Sequence, residues 1–170
     1  MIKTGILLLS GICLMLFAAC SAGYSFTGAS IPPEVETIRI ANFPNNAPLV
    51  NPTLSQEFTD ALRDKFQTQT SLIVVNEGGD MEITGEIVDY KTQPVAIQAN
   101  DVAALNRLTI TVKVTFINHY DETQSFENFT FSQHEDYPST QDLSSVQETL
   151  VGQINEYLVE DIFNKTVVNW

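Results

Sequence analysis

From residue 107 to residue 116 the chain alternates without a break, with Leu108, Ile110, Val112, Val114 and Phe116 on one side and Arg107, Thr109, Thr111, Lys113 and Thr115 on the other. A period of two is the mark of a β-strand with one face in a core and the other in water. Sheets buried on both faces read as continuous apolar runs instead, so this strand belongs to an antiparallel or mixed sheet covered on one side only. Continued to Asn118, it reaches about 40 Å at the usual rise per residue. The rest of the chain has to supply its neighbours and its cover.

Four further stretches supply strands. After the turn Asp121-Glu122-Thr123, residues 124–133 return as a hairpin partner. There Phe126 falls out of phase with Phe129 and Phe131, which predicts a bulge near Glu127 or an aromatic on the outer face. Residues 81–90 alternate Met81, Ile83 and Ile87 with Glu82, Thr84 and Glu86, and Gly85 inside them marks a bulge or a close packing contact. A short apolar strand, 71–75, precedes the turn Glu77-Gly78-Gly79-Asp80. Residues 35–43 set Ile38 and Ile40 against Thr37 and Arg39 until the pattern fails near Ala41. Residues 91–106 are irregular: Pro94 argues against a central strand, and Val95 and Ile97 suggest at most a short edge.

Two helices supply the cover. Asn51 is a capping residue and Pro52 suits a first helical position, so a helix is expected over 52–67. Leu54, Phe58, Ala61, Leu62 and Phe66 form its stripe. In Leu143–Phe163, Val146, Leu150, Ile154, Leu158 and Ile162 recur every four residues. That helix is about 30 Å long, enough to lie across the sheet. The predicted fold is α+β, in the order β-α-β-β-β-β-α. It is a two-layer sandwich with two α-helices packed on one face of a four- to five-stranded mixed, mostly antiparallel sheet.

The N-terminus has a different grammar. Lys3, the apolar runs 6–9 and 12–17, and Ala18-Ala19 before Cys20 are the parts of a secretory signal, with too few apolar residues for a spanning helix. A cysteine at that point is the arrangement of a bacterial lipoprotein signal, whose thiol receives a diacylglycerol before cleavage. Cys13 leaves with the signal, so Cys20 has no disulfide partner in the mature chain. Residues 1–19 are expected to be removed, 20–33 to form a lipidated tether, and 34–170 a single domain. No cofactor is expected beyond the covalent diacylglycerol and N-acyl lipid on Cys20.

Charge narrows the function. Twenty-one acidic residues oppose eight basic ones, for a net charge of −13, and loss of Lys3 takes the mature chain to −14. Nucleic acid is therefore excluded as a partner, since it is bound through phosphate neutralisation. Polybasic adhesion to lipid is equally unsupported, and membrane attachment falls to the acyl chains. Catalytic constellations are absent from the sequence pattern. His119 and His134 belong near opposite ends of paired strands, Glu135-Asp136 lacks the spaced ligands of a calcium loop, and no helix follows Gly78-Gly79. The chain is not expected to be an enzyme or to hold a metal.

Several segments carry a resemblance. Gly23-Tyr24-Ser25-Phe26-Thr27-Gly28 after the lipidated cysteine, FPNNAPLVNPTLSQ (43–56), TQPVAIQ leading to AALNRLTI (92–110) and LVEDIFNKTVVNW (158–170) resemble the LptE family of lipopolysaccharide-assembly lipoproteins. The resemblance covers nearly the whole mature chain, although Ser21 and Ala22 separate Cys20 from the Gly-Tyr pair that usually follows it directly. It implies two helices on a small mixed sheet and a non-enzymatic protein, lipid-anchored at the outer membrane on its periplasmic side. It further implies that the protein plugs an LptD-like β-barrel and assists lipopolysaccharide insertion into the outer leaflet. Contact with lipopolysaccharide phosphates would need cations. Lys91 and Arg107, bracketing the irregular segment, and Lys113 on the polar strand face are the candidates for lipopolysaccharide or barrel contact. The alternatives are a periplasm-facing binding module for a soluble ligand or glycan, and a surface adhesin. The absence of acids in Ser21-Ala22-Gly23 favours the inward-facing position over the adhesin.

Overall fold

A computed structural model describes residues 31–49, 51–95 and 104–168. The signal sequence, Cys20 and most of the tether lie outside these residues, as do Ile97 and Trp170. Five strands, β1 (Thr37–Ile40), β2 (Ile73–Val75), β3 (Met81–Val95), β4 (Leu105–Asn118) and β5 (Phe126–Pro138), form one sheet in the order β2-β1-β3-β4-β5. Two helices, α1 (Leu54–Gln69) and α2 (Leu143–Phe163), cover one face. The expected two-layer α+β sandwich is the observed architecture.

β1 is parallel to both β2 and β3, while β3, β4 and β5 form an antiparallel meander. α1 packs on β1 and β2, and α2 packs on β4 and β5. Ile38, Ile83, Val112, Val114 and Phe116 from the sheet, with Leu62, Ile154 and Leu158 from the helices, are fully buried between the layers. Each such side chain contributes about 1.5–3 kcal/mol of burial. Phe66 of α1 meets Phe163 of α2 edge-on, with ring centroids 5.1 Å apart, and joins the two helices.

α2 has the bounds its four-residue periodicity predicts, followed by a π-turn, Asn164–Val168. α1 starts at Leu54 rather than Pro52 and runs on to Gln69. The delay has a local cause. The Asn51 Oδ1 accepts hydrogen bonds from the Thr53 backbone N–H and hydroxyl, at 3.2 and 3.1 Å, and closes a separate turn ahead of the helix.

Strand lengths depart further from expectation. β1 is confined to Thr37–Ile40, after which the chain leaves the ladder through a single bridge from Asn45 to Ile87. The segment read as irregular is ordered sheet at both ends: β3 continues to Val95 and pairs Pro94 with Asn106. By that point β3 has outgrown β1 and, among the described residues, pairs with β4 alone, which is where a strand tolerates proline. A bulge between Ile87 and Asp89 shifts the alternation by one, so Tyr90 enters the core although its number has the wrong parity.

β5 carries the bulge predicted from its phenylalanines. Val114 faces Phe129 and Phe116 faces Phe126, so one extra residue is accommodated, and Asn128 takes a positive φ of 52°. Gly85 is the close-contact case: a Cβ there would lie 2.3 Å from the Lys113 carbonyl and 2.5 Å from the Phe43 ring. Gly79 crosses the β1 backbone, where a Cβ would stand 3.0 Å from the Arg39 nitrogen and 2.8 Å from the Met81 carbonyl. This short loop carries the chain from β2 across to β3.

Candidate functional site

Among the described residues the sheet face away from the helices is open, and cross-strand register fixes what it presents. Along β4 it carries Arg107, Thr109, Thr111, Lys113 and Thr115, all partly exposed. β3 contributes Glu82, Thr84 and Glu86 before its bulge and Asp89, Lys91 and Gln93 after it. β5 contributes Thr130, Ser132, His134 and Asp136, and β1 adds Arg39. The result is a broad surface of hydroxyls and charges, with the Thr111 and Ser132 hydroxyls hydrogen-bonded at 2.9 Å across β4 and β5.

Three of its cations are matched with carboxylates. Arg107 donates from two nitrogens to Asp136, at 2.7 and 2.9 Å, the bidentate fork that guanidinium and carboxylate geometry favours. Hydrogen bonding from Arg107 holds the Asp136 carboxyl below the usual range. Lys91 lies 2.5 Å from Asp89, two residues away on the same face, and Arg39 pairs with Glu82 across β1 and β3. Lys113 has no ion pair among the described residues. It is partly buried between Glu86 of β3 and Thr130 of β5, and Glu86 is itself taken by the Asn46 side-chain amide at 2.7 Å.

The three predicted cations therefore share one face without forming a cluster. Lys91 pairs with Thr109 and so lies diagonal to Arg107, while Lys113 stands six residues along β4 from Arg107, about 20 Å away. Arg39, Asp136, Ser132 and Thr130 belong to the same surface and were missed in the sequence. The signal that could have found them was the polar half of each strand's alternation, but placing them together requires the register.

His134 faces Thr109 at one end of β4, and His119 follows its other end, so the two histidines are far apart, as expected. Among the described residues no group of three or more His, Cys, Asp or Glu is placed to hold a metal ion. No described helix is long and apolar enough to cross a membrane.

Comparison with known proteins puts a family on this architecture. The model of the family LptE, described as lipopolysaccharide-assembly, matches residues 35–166. No curated protein matches by sequence. Among solved structures, hypothetical protein CT253 from Chlamydia trachomatis superposes with a TM-score of 0.53 at 9% identity, covering 79% of this chain and 98% of that one. A protein from Xanthomonas campestris gives 0.53 at 11% identity, with 82% and 90% covered. Uncharacterized lipoprotein B from Nitrosomonas europaea gives 0.50 at 16% identity, with 75% and 79% covered. At such identities these likenesses speak for the fold. The family match spans most of the chain and every described strand and helix up to the last turn, and the chain belongs to the LptE family of outer-membrane lipopolysaccharide-assembly lipoproteins.

Proposed function

We propose that this protein is a lipid-anchored plug for an LptD-like outer-membrane β-barrel and assists the insertion of lipopolysaccharide into the outer leaflet. Beyond family membership, the observation that carries the reading is the open sheet face. The interior of an outer-membrane barrel is polar, and a plug must offer it hydroxyls and balanced charges rather than apolar surface. Thr109, Thr111, Ser132 and Thr130, between the Arg107–Asp136 and Arg39–Glu82 pairs, form such a surface.

Charge pairing also argues against a dedicated phosphate cradle on this face. Arg107 is held by Asp136 and Lys91 by Asp89, so a lipid phosphate would have to displace a carboxylate from either one. Among the described residues of this face, Lys113 is the cation available without such an exchange. Cys20 then anchors the domain from the periplasmic side, and the tether 20–33 lets it reach the barrel from below. Detergent extraction and affinity purification of the full-length chain test the reading. A stoichiometric β-barrel partner is expected, and a stable monomer with no barrel partner would overturn it.

A further inference from the structure

The opposite layer holds a second surface, independent of the plug reading. α1 and α2 run side by side in the same direction, with Lys65 paired to Glu160 near one end and Phe66 against Phe163. Between them lies a groove of about 610 Å³, lined by Glu57, Asp64, Glu148, Glu156 and Glu160. Among the described residues Lys65 is the one cation on its walls, and it is committed to Glu160. A smaller hollow of about 300 Å³ shares Glu57 and Glu148 and continues the groove to Thr53 and Ser144, at the N-terminal ends of both helices. From Thr53 to Thr68 the channel is about 22 Å long at the helical rise, room for an extended segment of about seven residues.

Two features distinguish this groove from a merely solvated acidic surface. Asn155, which lines it, is 5% exposed, and its Oδ1 is buried without a hydrogen-bond donor. A buried acceptor left unpaired is destabilising, so a donor arriving there would be favoured. Gly152 lies one turn away on the same wall, in a helix interior where glycine is disfavoured, and a Cβ there would meet nothing within 4 Å. With Ala61 facing it on α1, the channel stays open where a larger residue would close it.

The chemistry of the walls selects the occupant. An anion is repelled by the five carboxylates, and no three of the groups are placed to share a metal ion among the described residues. A guanidinium fits: it has only donors, set in a planar fork suited to carboxylates, and it is weakly hydrated for a cation. We propose that the α1–α2 groove receives an arginine-bearing segment of a protein partner, its guanidinium groups donating to Glu57, Glu148 and Glu156 and to the Asn155 carbonyl.

Fluorescence anisotropy of the full chain with a labelled Gly/Ser peptide carrying arginines tests this. The same peptide with citrulline in place of arginine, neutral but similar in shape, is expected not to bind. Replacing Glu57→Gln, Glu148→Gln and Glu156→Gln together is expected to weaken binding about tenfold or more, equivalent to 1.4 kcal/mol. A charge-matched control of exposed acids elsewhere, Glu34→Gln, Glu77→Gln and Glu127→Gln, should change it about twofold at most. Gly152→Leu fills the channel without altering charge and should abolish binding while the fold is kept. Equal loss in both triple variants, equal affinity for the citrulline peptide, or unchanged binding in Gly152→Leu would overturn the proposal. Displacement of the peptide by spermidine at matched charge would reassign the groove to free polyamines and likewise overturn it.

Discussion

Thr37 and Asp80, 43 positions apart in sequence, are joined by three hydrogen bonds that run in both directions. The Asp80 Oδ2 accepts from the Thr37 hydroxyl at 2.8 Å and from the Thr37 and Glu36 backbone N–H groups at 2.9 and 3.0 Å. The Thr37 hydroxyl in turn accepts from the Asp80 backbone N–H at 3.0 Å. Together they fasten the start of β1 to the loop that delivers β3, the point where the chain crosses over β1 at Gly79.

This lock makes stability depend on pH. The hydrogen bond from the Thr37 hydroxyl, then those from the two backbone N–H groups, lowers the Asp80 carboxyl below its ordinary value. A depressed folded-state pKa means stabilisation that is present in full above the unfolded value of about 3.9 and lost as pH falls through the folded value. Asp80→Ala should cost about 1 kcal/mol at pH 7 and much less near pH 2, read from urea midpoints at both pH values. An equal cost at both would remove the carboxylate from the account.

Two glycines should respond in opposite directions. Gly85→Ala drives a methyl into the Lys113 carbonyl and the Phe43 ring and should cost about 2 kcal/mol or more. Gly152→Ala, in open space on a helix, should stabilise by about 0.5–1 kcal/mol. Thermal unfolding of the two variants against the parent measures both signs.

The helical cover is held by α2. Leu158 and Ile154 are fully buried, and truncation of either to alanine should cost about 2–5 kcal/mol, according to how far the core closes on the cavity. Chemical denaturation of each variant checks the range.

The cations of the open face should separate binding from folding. Lys91→Ala with Arg107→Ala breaks two surface ion pairs, Lys91–Asp89 and Arg107–Asp136, and exposed pairs add little to stability, so the domain should stay folded. If lipopolysaccharide phosphates reach this face, the double variant weakens lipopolysaccharide capture, and Lys113→Ala weakens it more because no described carboxylate holds Lys113. Unchanged capture in both would move the function wholly to the barrel.

Much of this was legible in the residues because burial acts locally through periodicity. The four-residue stripe of Leu150, Ile154, Leu158 and Ile162 gave α2 its bounds, and the phase slip at Phe126 located the β5 bulge. Pro94 misled because its tolerance depends on β1 ending lower in the sheet, a fact of pairing that no local pattern carries. The same limit hid the composition of the open face. The threonines of β4 were visible, whereas Asp136 beside Arg107, Glu82 beside Arg39 and Asp80 beside Thr37 are neighbours by register alone. The groove between the helices was invisible for a related reason, since Glu57 and Glu148 lie on separate helices and no local pattern brings them together.

The open face of the sheet is proposed to meet the inside of a barrel, and Thr111 lies at the middle of that face. A photo-crosslinking side chain placed at Thr111 in intact cells should yield a covalent adduct with an outer-membrane β-barrel protein. An adduct-free protein at Thr111, with barrel crosslinks arising only from the helical layer at positions such as Tyr157, would contradict it.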